Sequence, residues 1–231
     1  MIRTVIGLAA IIALSVVAVS PSEASCRDSP QPGVDWSKCT KSKLILKGRD
    51  LSGANMQSTD LSRSDLTGAN LSKASMVQVN LSSSRLKDAN MTGADLTKAM
   101  LDRADLHGAD LTGANLQKAE LGRANLTGAK LAGIDLSKAE LGRAILAGGD
   151  LSNVNLERAY LARADLRGVT LAGANLLNAA LYLSDLRGAD LSQAQNLEQG
   201  QLEDTCGDGT TKLPAGVTAP PEWPCASRED E

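Results

Sequence analysis

Carboxylates are the most abundant reactive groups in this chain, and many stand immediately before a leucine at multiples of five residues, as in Asp95-Leu96, Asp105-Leu106 and Asp110-Leu111. Two of them could form a general acid/base pair. A spacing renewed with every phrase of the sequence, however, belongs to the phrase and does not mark one reacting centre. The sole histidine, His107, follows Leu106 on the outward side of its phrase, and no serine and carboxylate set specifies a triad around it. The glycines recur as five-residue corners, whereas a phosphate loop needs a glycine-rich turn that opens a helix. Four cysteines remain: Cys26 and Cys39 near one end, Cys206 and Cys225 near the other. Neither pair has a CxxC spacing and His107 is distant, which disfavours zinc and favours disulfides. No catalytic, cofactor or metal constellation emerges, and the expectation is a protein that is not an enzyme and carries no cofactor.

The elements that hold these residues follow from a ladder. Every fifth residue from Leu46 to Leu191 is Leu or Met, thirty positions in all. On an α-helix a five-residue step at 100° per residue advances each leucine by about 140° and never makes a face, so a helix is excluded. Within each phrase a small residue, then Asp or Asn, then Leu alternates as a strand does for three residues. The next two positions, Ser or Thr and then Gly, Lys or Arg, suit a turn. With no Phe, two Trp and two Tyr, the chain must fill its core with Leu and Ala.

The phrases Ala94-Asp95-Leu96-Thr97-Lys98, Ala104-Asp105-Leu106-His107-Gly108 and Ala109-Asp110-Leu111-Thr112-Gly113 resemble those of the pentapeptide-repeat family. The resemblance covers about two thirds of the chain. It implies an all-β fold, a right-handed quadrilateral β-helix, in which the central Leu and the small residue two before it point inward. Four sides of five residues make a coil, so thirty sides make about seven and a half coils. At a strand spacing of about 4.8 Å the shaft is roughly 36 Å long. A disulfide needs Cα atoms within about 7 Å, so the ends of such a shaft cannot be joined and the expected pairs are Cys26–Cys39 and Cys206–Cys225.

A second period of twenty residues supports four sides independently. Lys98, Lys118, Lys138 and Arg158 form one series of corner residues, and Arg103, Arg123, Arg143 and Arg163 form the next; the other two series are mostly Gly. The two basic series flank one side of the shaft. Its surface carries Met100, Glu120, Glu140 and Tyr160 on one edge and Asp102, Gly122, Gly142, Ala162 and Tyr182 on the other. Eight cations face three anions there, a local balance of +5. The plain reading is a solvated face laced by lateral ion pairs; the sharper one is a docking surface for an anionic partner, with Tyr160 and Tyr182 at one end.

The organisation reads as a signal peptide over residues 1–24, an N-terminal cap over 25–43, the repeat region over 44–194, and a C-terminal cap with an acidic tail over 195–231. The first segment has a basic start, an apolar run from Val5 to Val19 and a Ser22-Glu23-Ala24 cleavage site. It places the protein in the periplasm or outside the cell, where disulfides form. Trp36 is expected to lie over the first leucines as a lid, and a register shift at Leu197 and Leu202 suggests a short helix in place of the coil. The hydroxyls of Ser58, Thr59, Ser64, Ser83 and Ser84, which loosen the early phrases, are expected to bond to backbone.

The function expected is a non-enzymatic exported scaffold whose partner is a protein or an anionic envelope polymer, with oligomeric state left open. The alternative is a DNA mimic that inhibits or protects type II topoisomerases, which the family resemblance implies for some cytosolic members. Two features weigh against that alternative: the signal sequence, and a stretch from Lys41 to Ala194 with 19 basic and 16 acidic residues. Nucleic acid is not expected as a partner of the basic side, given export and the scarcity of aromatic residues.

Overall fold

The computed structural model describes residues 26–225. The segment read as a signal peptide, and the end of the acidic tail from Arg228 onward, lie outside the described residues. Between Asp35 and Gln195 the backbone repeats one turn every five residues. In a representative turn the Ala54 N–H donates to the Leu51 carbonyl at 3.1 Å. The corner residue two after each central Leu or Met has φ between 55° and 72° from Gly48 to Gly188. A positive φ at the third residue is the mark of a type II turn. Glycine meets it without strain, and each Lys or Arg there carries a left-handed backbone that costs roughly 1–2 kcal/mol.

From Asp35 to Asn175 the residue before a central position bridges in parallel to the residue twenty positions on, except at Lys130: Asp95 to Asn115, Asn115 to Asp135 and Asp135 to Asn155 form one such column. Each twenty-residue period therefore contains four turns, and its backbone N–H and C=O groups are satisfied by the periods above and below, as a β-solenoid requires. The central residues and the small residues two before them fill the interior. Leu51, Leu96, Leu121, Ala54 and Ala124 are all fully buried. Alanine at the second position lets opposite walls approach while leucine spans what is left.

The Asp or Asn that precedes each Leu has a local task. Its side-chain oxygen accepts the N–H of the residue two on, as in Ser52 to Asp50 (3.0 Å), Thr97 to Asp95 (3.0 Å) and Ser137 to Asp135 (2.8 Å). This is an Asx turn, which orders the corner by a side chain short enough to reach its own backbone. Asparagines also donate to the same position one period back, Asn70 to Asp50 at 2.9 Å and Asn125 to Asp105 at 3.1 Å. The Asp110 carboxyl is drawn down to about 2 by the Lys130 ammonium and the Thr112 hydroxyl and N–H. Asp65 is held at about 2 as well, by the Thr67 hydroxyl and N–H and then by Arg85. A depressed carboxyl contributes stability above its unfolded value of 3.8, and that contribution is lost as pH falls through the folded value. The midpoint of urea denaturation will therefore stay level down to about pH 4 and drop between about pH 4 and pH 2; substitution of Asp65 and Asp110 by Asn will flatten that drop.

The ends differ from expectation in an instructive way. Trp36 is not a lid: it is fully buried at a ladder position, ten residues before Leu46, and Asp35 bridges to Asn55. The solenoid register thus begins at Asp35, inside the segment read as a cap, because an indole can occupy an inward site that leucine holds elsewhere. Its Nε1 donates to the Asp28 carbonyl at 3.1 Å and Lys41 Nζ lies 4.4 Å from the ring centroid. Thr59, Ser64 and Ser84 turn their hydroxyls inward to backbone carbonyls, Thr59 to Trp36 at 2.6 Å and Ser84 to Leu61 at 2.9 Å. At the other end the bridge offset lengthens to 21 at Asp185–Cys206 and 22 at Asp190–Lys212. The added residues form a 3₁₀ turn, Gln199–Leu202, whose Leu202 is fully buried. Trp223 covers this end by stacking on Gly207, with its Nε1 donating to the Thr205 carbonyl at 2.9 Å. The disulfides are Cys26–Cys39 and Cys206–Cys225, each with 5.5 Å between Cα atoms, so each staples one end to itself.

Candidate interaction face

The register that builds the solenoid brings the two basic series together. Met100, Glu120, Glu140, Tyr160 and Ala180 are linked in succession by parallel bridges. On one side of this column stand Lys98, Lys118, Lys138 and Arg158. On the other stand Arg103, Arg123, Arg143 and Arg163, whose N–H groups donate to the carbonyls of Gly122, Gly142, Ala162 and Tyr182 at 2.8–2.9 Å. All eight cations are exposed. Their corners carry φ of 56–61°, the strained left-handed form.

Three departures from the repeat coincide on this face. The first is the loss of its Asx turns. Asp60 and Asn80 cap their corners, through Ser62 (2.9 Å) and Ser82 (3.0 Å), and then five successive positions, Met100, Glu120, Glu140, Tyr160 and Ala180, make no such bond. Elsewhere between Asp50 and Asp190 an uncapped position, such as Arg85 or Lys130, has capped neighbours along its column. The second is a floor without side chains. Gly122 and Gly142 do not have the positive φ that demands glycine, so their smallness serves space. A Cβ on Gly122 would meet Asp102 Oδ1, and one on Gly142 would lie 3.2 Å from Tyr160 Cε1. Asp102, Arg103, Gly122, Arg123 and Gly142 consequently line a shallow groove of about 320 Å³. The third is the state of the cations. Arg85 and Lys130, at cap positions on other faces, pair with Asp65 at 3.0 Å and Asp110 at 2.7 Å. Among the described residues, the eight corner cations make one ion pair within 4 Å, Arg158 to Glu157 at 3.9 Å.

The lateral ion pairs of the plain reading are therefore not what organises this face. Glu120 is the anion most affected by its setting: burial raises its carboxyl pKa, and Asp102 and Glu140 raise it further. Tyr160 and Tyr182 are both half exposed. The sequence had placed these residues on one side of the shaft, with Gly122 and Gly142 one residue after their leucines and so off the corners; what it did not show is that Asp102 and Tyr160 lean over them. The cost of the corners is measurable. Arg143→Gly will relieve the left-handed strain and raise the unfolding free energy by about 0.5–1 kcal/mol, read from the denaturation midpoint.

Among the described residues no group of three or more His, Cys, Asp and Glu could hold a metal ion, and no helix is long and apolar enough to cross a membrane. The arrangement as a whole is that of a β-solenoid with one cationic, grooved face. The family model for pentapeptide repeats matches residues 46–82, 80–117, 89–128, 119–158 and 159–195, and the chain belongs to that family.

Solved structures with similar chains include HetL, a pentapeptide repeat protein involved in heterocyst differentiation regulation from the cyanobacterium Nostoc sp. It is 29% identical over 78% of this chain and 84% of its own, with a TM-score of 0.38. Full-length QnrB1, a plasmid-mediated fluoroquinolone resistance protein, is 17% identical over 74% of this chain and 93% of its own, with a TM-score of 0.42. A pentapeptide repeat protein from the thylakoid lumen of Arabidopsis thaliana is 25% identical over 66% of this chain and 80% of its own, with a TM-score of 0.21. The search of curated proteins found no match.

Proposed function

We propose that the protein is a non-enzymatic, exported scaffold: a rigid right-handed quadrilateral rod of about seven and a half coils that binds an anionic partner along its basic face. The observation that carries this reading is the run of five uncapped positions from Met100 to Ala180, the first four of which lie between the two cation columns. The repeat's own stabilising side chain is given up at successive coils here, and four of those five coils carry a cation at both corners. Off this face a lost cap, as at Arg85 or Lys130, is followed by a capped position one coil on, at Asp105 and Asp150. Disulfides at both ends support an oxidising compartment. Together with the apolar N-terminal run they support export. The positive face, and the net positive charge of the repeat region, favour an anionic partner over mimicry of DNA.

Charge removal on the face tests the reading without threatening the fold. Glu120 is the anion that an incoming polyanion meets beside the groove, and Glu120→Gln removes that repulsion. We expect binding of a polyanion such as polyglutamate to tighten about threefold to tenfold, and the gain to shrink as salt is raised from 50 to 500 mM. Unaltered affinity in this variant, or wild-type binding insensitive to salt, would exclude the face. Fractionation of the producing cell, with thiol alkylation to report the disulfides, tests export; reduced, uncleaved chain in the cytosol would restore the alternative.

A further inference from the structure

The groove has a repeat distance, a floor and two ends, and these restrict its occupant beyond sign of charge. Resting on the anion-binding reading above, we infer that it takes a short run of an acidic polysaccharide. About four charged sugar rings would lie parallel to the shaft, one end resting at Tyr160 and Tyr182.

The repeat distance comes first. Each column presents one cation per coil, at the strand spacing of about 4.8 Å. In a 1,4-linked polymer of uronate rings successive rings are turned over, so the carboxylates alternate between the two edges of the chain and meet the two cation columns in turn. The side chains on one face of an extended peptide recur at about 6.6–6.8 Å and fall out of register after two coils. A helix, about 10–12 Å across with its side chains, would ride on the corner cations and leave the floor untouched.

The floor comes second. Gly122 and Gly142 present backbone between the cation columns, with Asp102 beside Gly122 and Ala162 buried at the next coil, so the open floor is one on which a flat ring can settle at Gly142 against Tyr160. The Tyr160 ring leans back over Gly142, and its side chain stays half exposed, as does that of Tyr182. A half-exposed phenol offers an apolar face for the C–H face of a sugar and a hydroxyl for its oxygens.

The ends come third. Past Arg158 and Arg163 the corner columns continue with Asn178 and Leu183, and the Leu183 N–H donates to the Asp204 carbonyl at 3.0 Å. Glu203, Asp204 and Glu222 line a recess at that end and repel further anion. In the other direction the corners become Gln78 and Ser83, which carry no charge. Four coils of cation imply about four rings.

The test titrates the full, oxidised chain with oligogalacturonates of defined length, two to eight rings, beside oligoglutamates of equal charge. Affinity is expected to climb to about four rings and then level off, and the four-ring ligand to bind at least about tenfold more tightly than tetraglutamate. Tyr160→Ala with Tyr182→Ala, both at exposed positions, should weaken the four-ring ligand about tenfold and change tetraglutamate less than twofold. Equal affinities for the two ligands, or equal losses on tyrosine removal, would overturn the polysaccharide and make an acidic protein the partner, leaving the anion-binding face intact. Affinity that climbs without levelling to eight rings would overturn the four-coil limit. No binding of either ligand would overturn the face as well.

Discussion

Reversing three corner cations together, Arg103→Glu, Arg123→Glu and Arg143→Glu, is expected to weaken polyanion binding by about a hundredfold or more while the fold stays intact. At about 6 Å in water each unit pair contributes roughly 0.7 kcal/mol, and reversal changes the sign as well as removing the attraction, so each site is worth up to about 1.4 kcal/mol before screening. With part of that lost to salt, three sites still amount to about 3 kcal/mol, or a hundredfold. The substitutions change none of the backbone donors, whose bonds to Gly122, Gly142 and Ala162 do not involve side chains. The glutamates would also lie beside Asp102, Glu120 and Glu140, turning the groove anionic. Isothermal titration at 50 mM and 150 mM salt, with circular dichroism as the folding control, decides the matter. A triple variant that binds as the parent does would remove the basic face from any account of function.

The second large effect is in the core. Leu121→Ala, at the middle of the stack, should cost about 2–5 kcal/mol in unfolding free energy. The residue is fully buried, and its backbone N–H is fixed to the Glu140 carbonyl at 2.7 Å. The layers above and below are tied to their own registers, so they cannot close over the space left behind. In a solenoid each layer contacts only its neighbours, and a weak layer in the middle separates two halves that otherwise unfold together. Urea denaturation should accordingly show a lowered midpoint and a broader transition. Leu177→Ala supplies the contrast: that side chain is 36% exposed on an outer face, and its loss should cost well under 1 kcal/mol. Equal costs at the two positions would show that burial in the ladder is not what holds the shaft.

Much of this architecture was legible because the repeat states the same instruction thirty times. Leu96, Leu116 and Leu136 each sit where the ladder puts them, and Lys98 and Lys118 fall on one corner column because twenty residues separate bridged positions. Trp36 was missed for a physical reason: it occupies a ladder site with a different side chain, and a search for Leu and Met does not see that an indole can fill the same interior. Its spacing of ten from Leu46 was the available signal. The Asx turns were half visible. Asp95 and Asp110 were recognised as belonging to the motif, but an outward carboxylate looks alike whether it binds its own backbone or waits for a substrate. Only the bonds from the Thr97 and Thr112 N–H groups, both 3.0 Å, distinguish the two.

What the chain's order of residues determined by itself was periodicity: an interior every five residues, a column every twenty, and ends marked by paired cysteines. Such patterns survive without coordinates because side-chain direction in a turn-and-bridge backbone depends on position alone. What only the tertiary structure decided was the meaning of residues that share a letter. Gly108 relieves a left-handed corner and Gly142 clears a floor; Asp110 is held by Lys130 and Thr112, whereas Glu120 is pressed by Asp102 and Glu140. Those differences arise from neighbours one coil away, twenty residues distant along the chain and about 4.8 Å distant in space.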